Sequence, residues 1–177
     1  MFRQIGEKRG TAFALYRLGH VGRSLGDVAA ARSLIEEGRL MFSELGDKAG
    51  IAMTTGNLGD LSRDEGNFEE ARRLCRESLT LRLQLGNKQS LAESLESFAA
   101  LALAENAMGR AAMLFGTAAA IRETIGSPLP FCERAAQENN LANARARLGG
   151  EPFASAWAEG KAMPVEQAVA LAASPFV

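Results

Sequence analysis

The segment GDKAGIAMTTGNLGDLSRDEGNFEEARRLCRESLTLRLQL, residues 46–85, decides how the rest of the chain is read. From Ile51 to Asp64 nothing breaks a helix except small residues, and Glu65-Gly66-Asn67 then interrupts it. From Glu69 to Leu85 apolar and small side chains return at Ala71, Leu74, Cys75, Ser78, Leu81 and Leu85, the three- and four-residue spacing of one helix face. Gly66-Asn67 suits a tight turn because both residue types tolerate positive φ. Gly86 is placed to end the second helix in the same way, and Asp47 is placed to cap the first. The segment predicts two helices joined by a short turn, neither able to bury its apolar face alone.

The same text recurs on both sides. Gly6, Gly46, Gly86 and Gly126 stand 40 residues apart. Gly6-Glu7-Lys8-Arg9-Gly10 parallels Gly46-Asp47-Lys48-Ala49-Gly50, and Gly86-Asn87-Lys88 follows suit. Leu18-Gly19, Leu58-Gly59 and the drifted Phe98-Ala99 come next, then Gly26, Gly66 and Asn106, then Ala31, Ala71 and Ala111. Agreement at several independent positions establishes a 40-residue repeat, and helical units of that kind must stack on their neighbours. Asn87 and Ser127 are the expected N-caps after Gly86 and Gly126.

Composition narrows the class of function. The 177 residues carry 20 Lys and Arg against 21 Asp and Glu, with no basic run, which argues against binding through nucleic-acid phosphates. No stretch reaches the ~20 consecutive apolar residues of a membrane span, and the N-terminus lacks the apolar core of a signal peptide. Cys75 and Cys132 form no CxxC pairing, which fits a reducing cytoplasm.

Leu58-Gly59, Gly66, Phe68 and Ala71, with Leu18-Gly19, Gly26, Val28 and Ala31, resemble the tetratricopeptide repeat, whose pattern places Leu-Gly in its first helix and Ala in its second. The third copy keeps apolar volume at Phe98-Ala99, Met108, Ala111, Phe115 and Ala118 but loses both glycines. The expected fold is all-α: a helical-hairpin solenoid of three repeats, 6–45, 46–85 and 86–125, plus a C-terminal helical cap over 126–177. A period of 40 rather than about 34 implies longer helices. Residues 1–5 align with 41–45, 81–85 and 121–125, so the chain is expected to open inside the tail of a preceding helix, as a piece of a longer array. All five prolines follow the third repeat. There, helices are expected over 133–148, 151–161 and 164–173, with Val165, Ala168, Val169 and Leu171 covering the last repeat and Trp157 anchoring the cap.

The third repeat and its tail carry a second resemblance. The stretch from Ala111 to Arg122, then Ile125-Gly126-Ser127-Pro128-Leu129-Pro130, 153–163 and 165–172, resembles the C-terminal end of large bacterial transcriptional regulators and signal-transducing ATPases. These join LuxR-type or related helix-turn-helix domains and a nucleotide-switch domain to a tetratricopeptide array. The resemblance implies a sensor and interaction arm that takes up effectors or protein partners, or holds the ATPase inactive. This chain has no G-x-x-x-x-G-K-[ST] loop and no recognition-helix charge, so ATP hydrolysis and DNA binding do not carry over to it.

Catalysis has little to rest on. His20 is the one histidine, and neither G-x-S-x-G nor H-E-x-x-H occurs. Glu93 and Glu96 share a helix face at i, i+3, read as a solvated face rather than a metal pair, and Cys75 falls on the apolar stripe as packing. No catalytic, cofactor or metal residue is expected. The surface that remains is the groove lined by first helices. With Leu18, Leu58 and Phe98 as the buried reference, helical spacing turns Phe13, Tyr16, Arg17, His20 and Arg23 into it, then Met53, Asn57, Asp60, Arg63 and Asp64, then Glu93, Glu96, Ser97 and Ala100. A peptide or protein partner could lie along it, with Asn57 on its backbone and Arg17 or Arg23 on a carboxylate. The bland alternative is ion pairing of Arg63 with Asp60 or Asp64. A different function is structural: the N-terminal repeat edge pairs with itself in a homodimer without a specific ligand.

Overall fold

The computed structural model describes residues 2–174, with the side chains of residues 2–5 and 132 left aside, so the expectations for 1–5 and Cys132 lie outside the described side chains. Among the described residues there are nine helices and no strand: α1 (Phe2–Ser24), α2 (Val28–Glu44), α3 (Lys48–Asp64), α4 (Phe68–Leu85), α5 (Lys88–Ala104), α6 (Met108–Ile125), α7 (Phe131–Leu148), α8 (Gly150–Ala162) and α9 (Val165–Ala173). The fold is all-α and built of tetratricopeptide-like hairpins, as the repeat predicts. Its elements group into two compact units, Met1–Gly86 and Asn87–Val177.

One turn recurs at every junction of the repeats. Gly26, Gly46, Gly66, Gly86, Asn106 and Gly126 all have φ between 64 and 84°. These six stand 20 residues apart, so the same turn serves inside a hairpin and between hairpins. At most of them the next residue's N–H closes back on the carbonyl five positions earlier, as in Asp47 to Phe42 (2.9 Å) and Asn67 to Ser62 (2.8 Å), which satisfies a carbonyl the helix end leaves open. That same residue then caps the next helix: Asp27, Asp47, Asn67 and Asn87 each accept from the backbone N–H three positions on. Gly6 shares the register but lies within α1 without a positive φ. Glycine is as free to be helical as left-handed, so residue type alone does not force a turn there.

In unit 1, α1 pairs with α2, α3 with α4, and α2 lies against α3. Its core joins Ala31, Ile35, Leu58, Leu61 and Leu74. Close approach within each hairpin depends on glycine: a Cβ on Gly19 would sit 2.5 Å from Ile35 Cγ1, and one on Gly59 would sit 2.9 Å from Cys75 Sγ. Cys75 is buried there, and burial pushes its thiol pKa up to about 12, which suits packing and not nucleophilic chemistry.

In unit 2, α5 pairs with α6, and α8 lies along α6 much as a further repeat helix would. The α6–α8 crossing is made by two glycines. A Cβ on Gly116 would meet the Trp157 carbonyl at 2.5 Å, and one on Gly160 would run into the backbone of Met113. Thr117 Oγ1 donates to the Gly160 carbonyl across this contact (2.7 Å, buried). Trp157 stacks on the buried Phe153 with ring centroids 6.0 Å apart.

Several boundaries differ from the sequence expectation. Ser127 caps no helix, because Pro128 disfavours helical conformation before it and residues 127–130 are non-helical; α7 starts after Pro130, two residues earlier than expected. Gly149 alone, at φ 95°, separates α7 from α8. Pro164 is the residue before α9 rather than part of its first turn. On α9, which lies against α5 and α6, the buried pair is Ala168 and Ala172, while Val165, Val169 and Leu171 are half-buried. Small side chains let the short helix sit close.

The α6–α8 crossing predicts opposite effects for two glycines. Gly160→Ala forces the backbones apart and is expected to cost about 2–3 kcal/mol. Gly109→Ala on α6, with nothing within 4 Å of the added methyl, is expected to gain up to about 1 kcal/mol. Thermal and urea unfolding of the two variants measures both.

Candidate partner-binding face

Leu58 and Phe98 are buried, but Leu18, taken with them as a reference, is 58% exposed. Leu58 is covered because α2 lies on that side of α3 and supplies Ala31 and Ile35; among the described residues no helix covers the matching side of α1. The hairpin partner of α1 is fixed instead by Gly19 and Ala12, both buried against α2, and Gly38 of α2 packs on the Ala12 carbonyl.

Eight of the ten candidate residues stand on α1 and α3 of unit 1. Tyr16 and His20 are half-buried neighbours one turn apart, with ring centroids 6.3 Å apart. Arg23 reaches from α1 to α3, where its Nε donates to Asp64 (2.6 Å) and its Nη1 lies 3.6 Å from Asp60. Arg63 donates to the same two carboxylates, to Asp60 at 3.0 Å and to Asp64 at 2.8 Å. The two arginines and two aspartates thus form one four-membered network holding α1 to α3, and the bland reading of Arg63 describes what its charge does. Asn57, expected to clamp a partner's backbone, donates from its amide to the Met53 carbonyl of its own helix (3.0 Å).

Arg17 differs from all of these. It is exposed and makes no hydrogen bond or ion pair among the described residues. Three arginines against two aspartates leave this face with one positive charge. That surplus and burial act on His20: burial lowers its pKa below 6.5, and the charges of Arg23 and Arg17 lower it further against an opposing pull from Asp60. Burial penalises the Asp64 carboxylate, yet the Arg23 hydrogen bond and the Arg63 charge outweigh this and hold its pKa below 3.8.

Glu93 and Glu96 stand on α5, in the other unit. Glu96 is not on a solvated face: its two oxygens accept from Nε and Nη2 of buried Arg122, at 2.7 and 2.8 Å, and Arg122 also donates to the Ser127 carbonyl. Glu93 accepts from the Gln89 amide at 3.3 Å and is half-buried. Helical spacing places a residue on a face without naming its partner, so it does not reveal this pair; an arginine directly after the apolar run Ala118-Ala119-Ala120-Ile121 is the available signal. Among the described residues no three His, Cys, Asp or Glu side chains gather as metal ligands, and no helix is long and apolar enough to cross a membrane.

The two lowered pKa values act in the same direction on stability. An unfolded chain takes up protons at His20 and Asp64 before the folded one, so acidification favours unfolding. Stability is therefore expected to fall first as pH drops below 6.5 and again below 3.8. His20→Gln should flatten the first step while leaving the second, as read by urea unfolding across pH.

Residues 10–84 match the family model for the tetratricopeptide repeat, a fold that generally mediates protein–protein interaction. No curated protein matches the chain. The hairpins, the left-handed turns and the Leu-Gly and Ala contacts fit the repeat match, which covers less than half of the chain and supports a tetratricopeptide-repeat region there.

Proposed function

We propose that this protein is a non-enzymatic interaction module whose α1–α3 face takes a carboxylate-bearing peptide or protein segment. The observation that carries the reading is Arg17: it is a cation without an anionic partner beside Tyr16 and His20, on a face whose other charges are already paired. An incoming carboxylate meets a guanidinium that loses no existing ion pair on binding, and a charge-assisted hydrogen bond of that kind is among the stronger polar contacts. Tyr16 and His20 supply a partly apolar wall beside it, and the Asn57 carbonyl can accept from a partner's backbone N–H.

The setting proposed for this module is the sensor or interaction arm of a bacterial transcriptional regulator or signalling ATPase in the cytoplasm. The stretches 111–130 and 153–172, which resemble the C-terminal ends of such proteins, support it. That setting requires an in-frame continuation of the gene upstream of Met1 encoding a phosphate loop, and a stop codon close to Met1 would remove it.

The binding face is tested with a panel of short acidic peptides and their amidated, neutral counterparts. Arg17→Glu should weaken acidic peptides at least tenfold, roughly the worth of one charge-assisted hydrogen bond, without lowering the melting temperature. Asn57→Ala should add a smaller loss. Equal affinity of wild type and Arg17→Glu for every peptide would defeat the assignment.

A further inference from the structure

Within unit 2, α7 and α8 line a cavity of about 540 Å³, inside the ~300–1,000 Å³ range of small-molecule sites. Glu138, Leu141, Ala142 and Arg145 form its α7 wall, at the i, i+3, i+4, i+7 spacing of one helix face, and Phe153 and Trp157 stand on its α8 wall. The cavity has a backbone cause. The Gly116–Gly160 crossing draws α8 onto α6, and the single residue Gly149 between α7 and α8 is too short a joint for a helical hairpin that would close α7 over it. Trp157 is shared between two contacts. Its carbonyl lies at Gly116, while its half-buried ring lines the cavity and stacks on Phe153, with centroids 6.0 Å apart and planes 25° apart. Arg145 uses the same Phe153, its guanidinium carbon 5.0 Å from the ring centre. Buried Phe153 thus positions both an indole and a cation. Among the described residues the side chains of Arg145 and Glu138 make no ion pair or hydrogen bond.

We propose that this cleft binds a planar aromatic monocarboxylate, at a site separate from the Arg17 face. The ligand's ring lies against the Trp157 indole and the apolar wall of Leu141 and Ala142, where two flat π faces gain from offset stacking beyond the area they bury. Its carboxylate meets Arg145. The ring contact with Phe153 leaves the Arg145 N–H donors unspent, and a guanidinium presents them in the fork that a carboxylate fits. Glu138 gives the ligand its direction. It stands two turns before Arg145 on α7, roughly 10 Å by the helical rise, so a second carboxylate at the far end of the ligand would meet a like charge. An aliphatic acid shares the charge contact without the stack, and an aromatic amide shares the stack without the charge.

Trp157 is the one tryptophan of the sequence, so tryptophan fluorescence of the whole chain reports on this cleft. Titration with phenylpropionate should change the emission and saturate, with a dissociation constant on the order of 1 mM for so small a ligand. Phenylpropanamide, octanoate and para-carboxyphenylpropionate should each bind about fivefold more weakly or worse, the first for want of charge, the second for want of a ring, the third because of Glu138. Arg145→Gln should weaken phenylpropionate by about the same factor and leave the amide unchanged, and Glu138→Gln should recover the dicarboxylate. Ala142→Leu, at an exposed position of the cavity wall, should fill the cleft and weaken every probe at unchanged melting temperature. Arg17→Glu should leave all these affinities as they are, so failure here and failure of the α1–α3 reading are separate results. The absence of a saturable response to phenylpropionate up to about 20 mM overturns the proposal. So does equal binding of octanoate or of the amide, or an Arg145→Gln variant that binds phenylpropionate like the wild type.

Discussion

The left-handed residue at the end of each repeat helix is the constraint on which the rest depends. A chain that must reverse direction within three residues has few ways to satisfy the last carbonyls of one helix and the first amides of the next. Here Gly26-Asp27, Gly46-Asp47, Gly66-Asn67 and Gly86-Asn87 do both, the first residue by its positive φ and the second by capping, while at Asn106-Ala107 only the left-handed residue remains. Because the reversals recur every 20 residues, every helix of the repeats has nearly the same length, 17 or 18 residues after α1. Equal lengths put Gly19 over Ile35 and Gly59 over Cys75, the contacts that set the hairpin spacing.

Where hairpin geometry repeats, chemistry is free to vary, and one position shows how far. Gly56 and Glu96 occupy the same place in successive repeats, as do Arg82 and Arg122. In unit 1 the arginine lies over a glycine, with Nη2 3.4 Å from where a Cβ would be; in unit 2 the arginine is clasped by the glutamate. Both arginines are buried, and a buried guanidinium needs acceptors at close range. The glutamate is thereby committed to an ion pair inside unit 2. On the α1–α3 face the charges of Arg23, Arg63, Asp60 and Asp64 are likewise committed to one another, and Arg17 is what that arithmetic leaves over.

The repeat, the turns and the helix-closing glycines were legible in the sequence because each is a local demand on one residue type recurring at a fixed interval. Partners were not. Helical spacing puts Arg23 and Asp64 on facing sides of two helices, yet nothing along the chain says that they meet at 2.6 Å rather than face a ligand. Leu18 was misread for a related reason: its text matches Leu58, but burial belongs to the neighbouring helix and not to the residue. The tail was read to within two or three residues, and its errors sit at Ser127, Gly150 and Pro164, where proline and glycine offer more than one cap position.

The 20-residue spacing of the turns has a consequence for how such a chain changes length. Gain or loss of 20 residues at these joints would add or remove one whole helix with its caps intact, but would exchange inner for outer helices in everything that follows. A change of 40 restores the original sidedness. The four joints from Gly26-Asp27 to Gly86-Asn87 share the left-handed residue and the side-chain cap, so local folding offers little resistance to the odd step there. Selection against it has to come from the faces, where a displaced Leu-Gly or Ala contact would find the wrong neighbour. Duplication in pairs is thus enforced by packing, one level above the turn that makes duplication easy.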